Sequence, residues 1–363
     1  MVANSVDADD LTVFPIGDLT RFTSELDAII LAAGFEERAF KVLPNGNFHA
    51  RAHCILIRFR NDVEGNDQVF EGYLEVAGAR FTRERLHVVE LRNGESQGFE
   101  EELRKAIEKL PESARYLGID ISGMPSFSIC IGLKALRDAR PEERIAVLYT
   151  AAKEYNPTFA EYQKLISNSK RDLERIPRSM ALEMKENLIL DTFSGHRSQN
   201  AKVCLAVFAG YEVHRSAGVI EAVNPALLLL LYGNPGDEKL TWRLDLSKRL
   251  HRKFEKARKT AVETVSTLHV KESLDVLERY YDYLIDDYDL VISPISSKMH
   301  VVASYLFWER YGEVQLTFPI PIGYDRSKSP KGAGVTYATW IAARQRIFRA
   351  RPTLPGTKST LAV

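Results

Sequence analysis

The sequence predicts an α/β fold of two Rossmann-like halves with parallel sheets, related by an internal pseudo-two-fold duplication. Three observations support this prediction. Short apolar runs alternate with amphipathic segments, which is typical of parallel strands covered by helices on both faces. The order of these segments is the same in both halves. Matching motifs also occur at matching places, beginning with "AGFE" at 33–36 and "AGYE" at 209–212.

The length of 363 residues fits two domains of about 150 residues each. We expect five segments: a leader (1–24), a first Rossmann-like half (25–157), a helical connector (158–200), a second Rossmann-like half (201–325) and a basic C-terminal tail with a helix (326–363). In this tail, "TYATWIAARQRIFRA" is the helix-like part.

Each half is predicted to contain five strands separated by helices. In the first half, strands are expected at 28–34, 54–60, 85–91, 115–121 and 144–150, with helices at 36–43, 70–81, 98–110 and 127–139. In the second half, strands are expected at 203–210, 226–233, 266–270, 289–295 and 313–320, with helices at 214–223, 243–261, 273–285 and 298–311.

Further short repeats support the duplication. "LHV" occurs at 86–88 and 268–270, both times in the predicted third strand. "GIDISGMPS" (118–126) and "VISPISSKM" (291–299) both end the fourth strand in a serine-containing loop before a helix, and Tyr155 and Tyr324 both follow the fifth strand.

Composition narrows the classes of function. The formal net charge is +0, so no global field selects nucleic acid or a membrane. Three widely spaced cysteines argue against a disulfide framework and favour a reducing cytoplasm. The polar N-terminus is not a signal peptide, and the longest aliphatic run is far below the ~20 residues of a membrane helix. We expect no metal, no cofactor and no membrane contact.

Candidate ligand residues follow the strand ends, where ligands bind in open α/β sheets. The candidates after the first strands are Gly34, Glu36, Arg38, Gly210, Glu212 and Arg215, and those after the fourth strands are Ser122, Gly123, Ser126, Ser296, Ser297 and Lys298. A short Ser/Gly loop that opens a helix offers N–H groups and a positive dipole end to an anion, and Lys298 adds a full charge. Ser122 and Ser296 alternatively only cap their helices.

Other candidates have simpler alternatives. Glu36 either forms a salt bridge with Arg38, binds a ribose hydroxyl or favours a helix start. Lys331 lies in the "KGAG" loop (331–334), which closes over an anionic ligand or is an ordinary polar turn. The basic segment 248–259, with seven Lys or Arg and one Glu, is a solvated helix face or a contact for nucleic acid phosphates.

Catalytic candidates, if the protein is an enzyme, are Glu36, Asp120, Glu212 and His214. Carboxylates at strand ends suit acid/base work when burial shifts their pKa values, and His214 is the best candidate for a general base. His87 and His269 are assigned to matching strands and are expected to be packed or to line a ligand. The sequence has no GxGxxG after the first strand, no GxxxxGK[ST] and no GxSxG.

The loops "DISGMPS" and "SPISSKM" resemble the ligand loop of CARF-type sensor domains, which is a run such as TGGTK after the fourth strand. The resemblance implies a Rossmann-like domain that binds cyclic oligonucleotides in prokaryotic antiviral systems and works in facing pairs. The matching loop positions are Ser122, Gly123, Ser296, Ser297 and Lys298. The Gly-Gly-Thr-Lys run itself is absent, and the first loop has no lysine.

Three functional hypotheses follow. The first is a cytoplasmic sensor for an anionic, nucleotide-like ligand held between the strand-end loops, in an antiviral defence system with a protein effector as partner. The basic segment 248–259 or the C-terminal tail is the expected contact with that effector or with nucleic acid. The second is a hydrolase or transferase acting on a nucleotide or nucleoside. The third is a scaffold without a small-molecule site.

Overall fold

The first of the two large sheets is mixed and is built mainly from the N-terminal half of the chain. The computed structural model describes residues 10–60, 65–92, 96–167, 181–196 and 201–343. The strands of this sheet are β1 (Phe14–Pro15), β2 (Ala28–Ala32), β3 (His53–Arg60), β4 (Leu86–Arg92), β5 (Tyr116–Asp120), β6 (Arg144–Glu154) and β14 (Lys331–Ile341). The seven strands have the order β1-β14-β6-β5-β2-β3-β4, and the five from β6 to β4 are parallel.

Helices cover both faces of this sheet because its central strand is apolar on both sides. All five residues of β2 are buried. The helices are α1 (Leu19–Ser24), α2 (Val42–Asn45), α3 (Asn66–Arg80), α4 (Ser96–Glu108) and α5 (Ser126–Ala139). Buried residues of α3 pack with one set of strand side chains, and those of α4 and α5 pack with the other set.

The second sheet repeats the parallel part of the first. Its strands are β8 (Lys202–Ala209), β9 (Leu227–Asn234), β10 (Thr260–Ser266), β11 (Tyr288–Pro294) and β12 (Gln315–Leu316), and its helices are α7 (Val213–Val223), α8 (Thr241–Ala257), α9 (Val270–Leu284) and α10 (Lys298–Arg310). The order β10-β9-β8-β11-β12 corresponds strand for strand to β4-β3-β2-β5-β6. The predicted α/β, Rossmann-like class is confirmed, whereas descent from a duplication stays a prediction.

The two halves meet through the helix that follows the fourth parallel strand of each half. The helices α5 and α10 pack together, and Arg137 on α5 lies 3.4 Å from the carboxylate of Glu309 on α10. The main apolar core cluster includes buried residues from both halves. This contact therefore holds the strand-end loops of one half against those of the other.

The C-terminal tail was predicted to form the "KGAG" loop at 331–334 and a helix from 336, and both predictions are wrong for 331–341. That stretch is β14, which pairs antiparallel with β6 and with β1 from the expected leader. Aromatic and β-branched residues such as Val335, Tyr337 and Thr339 suit a strand. Trp340 is 1% exposed and packs beside Phe22. The rest of the predicted tail helix, from 344, lies outside the described residues.

Three smaller predictions also need correction. The third strand of the second half is β10 rather than 266–270, so His269 caps the start of α9 instead of lying in a strand. The predicted strand 313–320 divides into β12 and β13 (Phe318–Pro321) because β13 leaves the sheet to pair with β7 (Met184–Leu188). The connector is therefore not wholly helical: it contains α6 (Phe159–Ser167) and then β7.

Candidate functional site

The loops after the first and fourth parallel strands touch in both halves. A Cβ atom added at Gly34 would lie 2.9 Å from Cα of Gly123, and one added at Gly123 would lie 2.9 Å from the carbonyl oxygen of Ala32. In the second half, a Cβ atom at Gly210 would lie 3.5 Å from Cα of Ser296. Gly34 and Gly123 therefore allow the close approach of backbones at the switch point of the first sheet, where ligands bind in such folds, whereas an added Cβ at Gly210 makes only an ordinary contact.

This close approach predicts opposite effects for two alanine substitutions. Gly34→Ala is expected to lower the free energy of unfolding by roughly 1–3 kcal/mol, because backbone atoms have to move. Gly72→Ala, inside α3 where an added Cβ meets nothing within 4 Å, is expected to raise it by about 0.5–1 kcal/mol. Urea denaturation of both variants checks this. Equal effects would contradict the close packing at Gly34.

Arg38 is the buried cation at the end of β2. It lies on a short 3-10 helix (Glu37–Phe40) and is 6% exposed. Its Nε donates to the carboxylate of Glu36 at 2.6 Å, and its Nη1 donates to the hydroxyls of Tyr149 at 3.1 Å and Tyr155 at 3.3 Å. Burial alone would lower the pKa of Arg38, but these oxygens raise it above its ordinary value. Of the three alternatives considered for Glu36, the structure shows the salt bridge with Arg38.

The second half has a similar pair at the equivalent place. Nη1 of Arg215 lies 2.6 Å from Oε2 of Glu212, and Nη2 of Arg215 donates to the carbonyl of Pro319 at 2.9 Å. The other oxygen of Glu212 accepts from the backbone N–H of Ala181 at 2.9 Å. These contacts tie the pair to the two-stranded β7–β13 sheet, so they also have a structural role.

Asp120 is a buried carboxylate at the end of β5. Its Oδ1 accepts from the backbone N–H of Ser122 at 2.9 Å and from the hydroxyl of Ser122, whose Oγ also accepts from the N–H of Thr150 at 2.8 Å. Its Oδ2 has no hydrogen-bond partner among the described residues. Burial raises the pKa of Asp120 to about 6, although the Ser122 hydrogen bonds, Lys298 and Arg38 oppose this.

The serines differ in role between the two loops. Ser122 does not cap α5, because that helix begins at Ser126 with Pro125 before it. In the second half, Ser297 rather than Ser296 caps α10: its hydroxyl accepts from the N–H of His300 at 3.1 Å, and the ring of His300 accepts from the N–H of Ser297 at 3.3 Å. The helix-capping alternative is thus wrong for Ser122 and Ser296.

His300 is fixed in its neutral form by burial. Its Nε2 lies 2.8 Å from the carbonyl of Ser266, and burial lowers its pKa to about 4. A neutral ring has one donor and one acceptor nitrogen, which matches a carbonyl on one side and the Ser297 N–H on the other. The residue therefore orients the loop that carries Lys298 and adds no charge there at neutral pH.

The side chain of Lys298 extends from the second half and places its amine in the first half. Its Nζ donates to the backbone carbonyl of Met124 in the loop after β5, at 2.5 Å. Burial and the nearby guanidinium of Arg38 lower the pKa of Lys298 to about 8, whereas the carboxylates of Glu36 and Asp120 oppose this shift. These four charged groups form what we call the junction cluster: Glu36, Arg38, Asp120 and Lys298.

Two aromatic side chains lie close to this cluster. Phe35 follows Gly34, and its ring centroid is 6.5 Å from that of Tyr324, which is 39% exposed. The guanidinium of Arg326 lies over the ring of Phe35 at 5.0 Å. Burial of its hydroxyl end raises the pKa of Tyr324, and the carboxylate of Glu36 contributes to this shift. The aromatic pair is therefore near both Glu–Arg pairs.

Two predicted site residues lie apart from the junction cluster. Lys331 is exposed at the first position of β14, opposite Glu154 on β6, and no described contact joins it to the cluster. His214 is at the second position of α7, and its Nε2 is buried with no hydrogen-bond partner among the described residues.

Sequence reasoning missed the partners that fix Arg38. In the sequence, Tyr149 has the pattern of a core residue in a buried strand. Its contact with Arg38 depends on the fold, which brings the Tyr149 hydroxyl to the guanidinium. Arg243 on α8 donates to the carbonyl of Tyr155 at 2.7 Å, so Tyr155 contacts both halves. Tyr155 had one signal, its place just past the fifth strand, which Tyr324 shares. Nothing in the local sequence marked Tyr149 or Arg243.

Metal-binding clusters and membrane-spanning helices are both absent from the described residues. Within the described ranges, no group of three or more His, Cys, Asp or Glu side chains is placed to hold a metal ion. None of the helices described there combines the length and the apolar character that crossing a bilayer requires.

Comparison with known proteins gives distant structural likenesses, among them a defence nuclease and a reductase domain. No protein-family model and no curated protein matches the chain. The structure of a Type III CRISPR defence DNA nuclease activated by cyclic oligoadenylate is 9% identical with a TM-score of 0.45, and the match covers 77% of this chain and 63% of that one. The NADP-bound N-domain of a bacterial malonyl-CoA reductase is 10% identical with a TM-score of 0.21, covering 79% and 80%.

Proposed function

We propose that this protein binds an anionic, nucleotide-like ligand at the junction between the strand-end loops of its two halves. The observation that carries the proposal is the placement of Lys298. It extends from the second half into the first, where burial and Arg38 lower its pKa to about 8. An anion beside Lys298 would favour its charged form, which burial and Arg38 disfavour and which Glu36 and Asp120 stabilise only in part. A phosphate would also give Lys298 a charged acceptor in place of the Met124 carbonyl.

The aromatic pair supports a nucleotide rather than a simple inorganic anion. Phe35 and the half-exposed Tyr324 lie beside the carboxylate of Glu36, and aromatic faces stack on nucleobases. A ligand with a phosphate on Lys298 and a base on Tyr324 uses both features. Gly34 and Gly123 contribute by letting the two strand-end loops pack closely at the same place.

As a finer proposal, ligand binding at this junction makes the protein a cytoplasmic sensor in antiviral defence, acting on a protein effector. Because the ligand contacts loops from both halves, its binding would change how the halves are held together. Tyr155 links the junction cluster to the start of α8, because its hydroxyl accepts from Arg38 and its carbonyl accepts from Arg243. A change at the junction would reach α8 through these two contacts.

The direct test is native mass spectrometry of the protein purified from its host, with nucleotide analysis of a denatured extract. Calorimetric titration with mononucleotides, dinucleotides and cyclic oligonucleotides complements it. We expect one phosphorylated small molecule per chain, and weaker binding by Tyr324→Ala. A clean apo mass with no binding across this panel would overturn the proposal and favour a scaffold.

An enzyme is the second candidate because of one observation at the same site. Asp120 is buried, its pKa is raised to about 6, and its Oδ2 has no hydrogen-bond partner among the described residues. Such a carboxylate suits general acid/base chemistry near neutral pH. Incubating the bound ligand with the protein and with Asp120→Asn distinguishes the two candidates. Turnover that Asp120→Asn abolishes would establish the enzyme, and an unchanged ligand would leave the sensor.

A further inference from the structure

The outer face of α8 is the most basic surface on any described helix. Five cations, Lys248, Arg249, Arg252, Lys253 and Lys256, are all exposed. At 100° per residue they lie on one side of the helix, away from the buried side chains Ser247 and His251. Their spacing along the chain therefore gives one continuous charged face.

This face is not neutralised by the acids around it. Of the five cations, only Arg249 is in an ion pair within the described residues, with the carboxylate of Asp245 at 2.5 Å. Asp245 is also held by the hydroxyl of Tyr162 at 2.8 Å. The nearby Glu255 accepts from the hydroxyl of Tyr232 at 2.7 Å. Four cations therefore remain available to an anionic partner.

Aromatic rings extend the same face at its N-terminal end. Trp242 precedes Arg249 by seven residues, which places both on one side of α8. The ring of Phe159, at the start of α6, lies 5.6 Å from that of Trp242, and Phe159 is 51% exposed. The sequence of α8 alone lacks such interleaved aromatics, and packing of α6 supplies them.

We propose that this surface binds single-stranded nucleic acid. We call it the α8 surface: Phe159, Trp242, Lys248, Arg249, Arg252, Lys253 and Lys256. The cations contact successive phosphates along about 12 Å of helix, and an unpaired base stacks on Phe159. A duplex keeps its bases in the stack, so it uses the cations alone. The exposed Phe159 therefore favours a single strand over a duplex.

The test is fluorescence anisotropy of the full chain with labelled single-stranded and duplex DNA of about 20 nucleotides, at several salt concentrations. The variant with Arg252, Lys253 and Lys256 changed to Gln is expected to bind at least tenfold more weakly. The salt slope of log K for single strands should fall by about 2. The matched control changes three exposed cations of the first half, Arg83, Lys105 and Lys109, to Gln and should bind as the wild type does.

Phe159→Ala separates the strand types. It is expected to weaken single-strand binding by about tenfold and to leave duplex binding unchanged. Equal loss in the α8 and control triple variants would overturn the proposal. Single-strand binding that Phe159→Ala leaves intact would overturn the stacking role and reduce the surface to a general phosphate contact.

Discussion

Lys298→Ala is expected to weaken binding of the anionic ligand by roughly 10–100-fold, which corresponds to the loss of one charge-assisted hydrogen bond of about 1.5–3 kcal/mol. The reason is that Lys298 is the cation that reaches from the second half to the loop after β5. Calorimetric titration of wild type and variant measures the effect. Lys271→Ala is the matched control, because Lys271 is exposed on α9 and pairs with Asp275.

The same lysine predicts the pH dependence of binding. Only the protonated amine attracts an anion, and its pKa is lowered to about 8 in the free protein. Lys298 is therefore expected to add no pH dependence to the affinity well below pH 8 and to lower the affinity by up to about tenfold per pH unit above it. Lys298→Arg keeps its charge at high pH, so its affinity should stay flat. A wild-type affinity that does not change between pH 7 and 9.5 would contradict a role for Lys298 in anion binding.

The parallel core of the fold could be predicted from sequence because its strands are continuous apolar runs. "AIILA" at β2 and "LLLLLY" in β9 are buried on both faces, and such runs leave little choice of structure. The segment after α8 was harder. Thr260, Val262 and Thr264 favour a strand through β-branching, but they follow a long helical pattern without a Gly or Pro to separate them. Strand β14 depends on the free edge of β6, which no local pattern reveals.

The positions of the candidate site residues could be predicted from the sequence, but the contacts between their side chains could not. The strand-end rule marked Glu36, Arg38, Asp120 and Lys298 from position alone. That Lys298 contacts the opposite half depends on how α5 packs against α10, which is a matter of tertiary structure. Ser297 rather than Ser296 caps α10 because the helix begins at Lys298, and sequence patterns do not locate a helix start to within one residue.

Asp120→Asn is expected to change how stability depends on pH. Burial raises the pKa of Asp120 to about 6 in the folded chain, so folding disfavours its ionised form. That penalty is absent below the ordinary pKa near 4 and complete above 6, and it amounts to about 3 kcal/mol. Asparagine cannot ionise and can still accept from the N–H of Ser122. The variant should therefore gain stability over wild type as pH rises from 4 to 7.

Urea denaturation of both proteins at pH 4, 5, 6 and 7 measures this difference. Asp275→Asn, an exposed carboxylate on α9, controls for a lost surface charge. A difference between Asp120→Asn and wild type that stays constant with pH would show that Asp120 is not held in an unfavourable charged state. The expected result also bears on the ligand, because the Asp120 carboxylate lies near Lys298 and Arg38 and opposes an incoming anion. Asp120→Asn should then bind the anionic ligand more tightly at pH 7.5, whereas an enzyme would lose turnover with the same substitution.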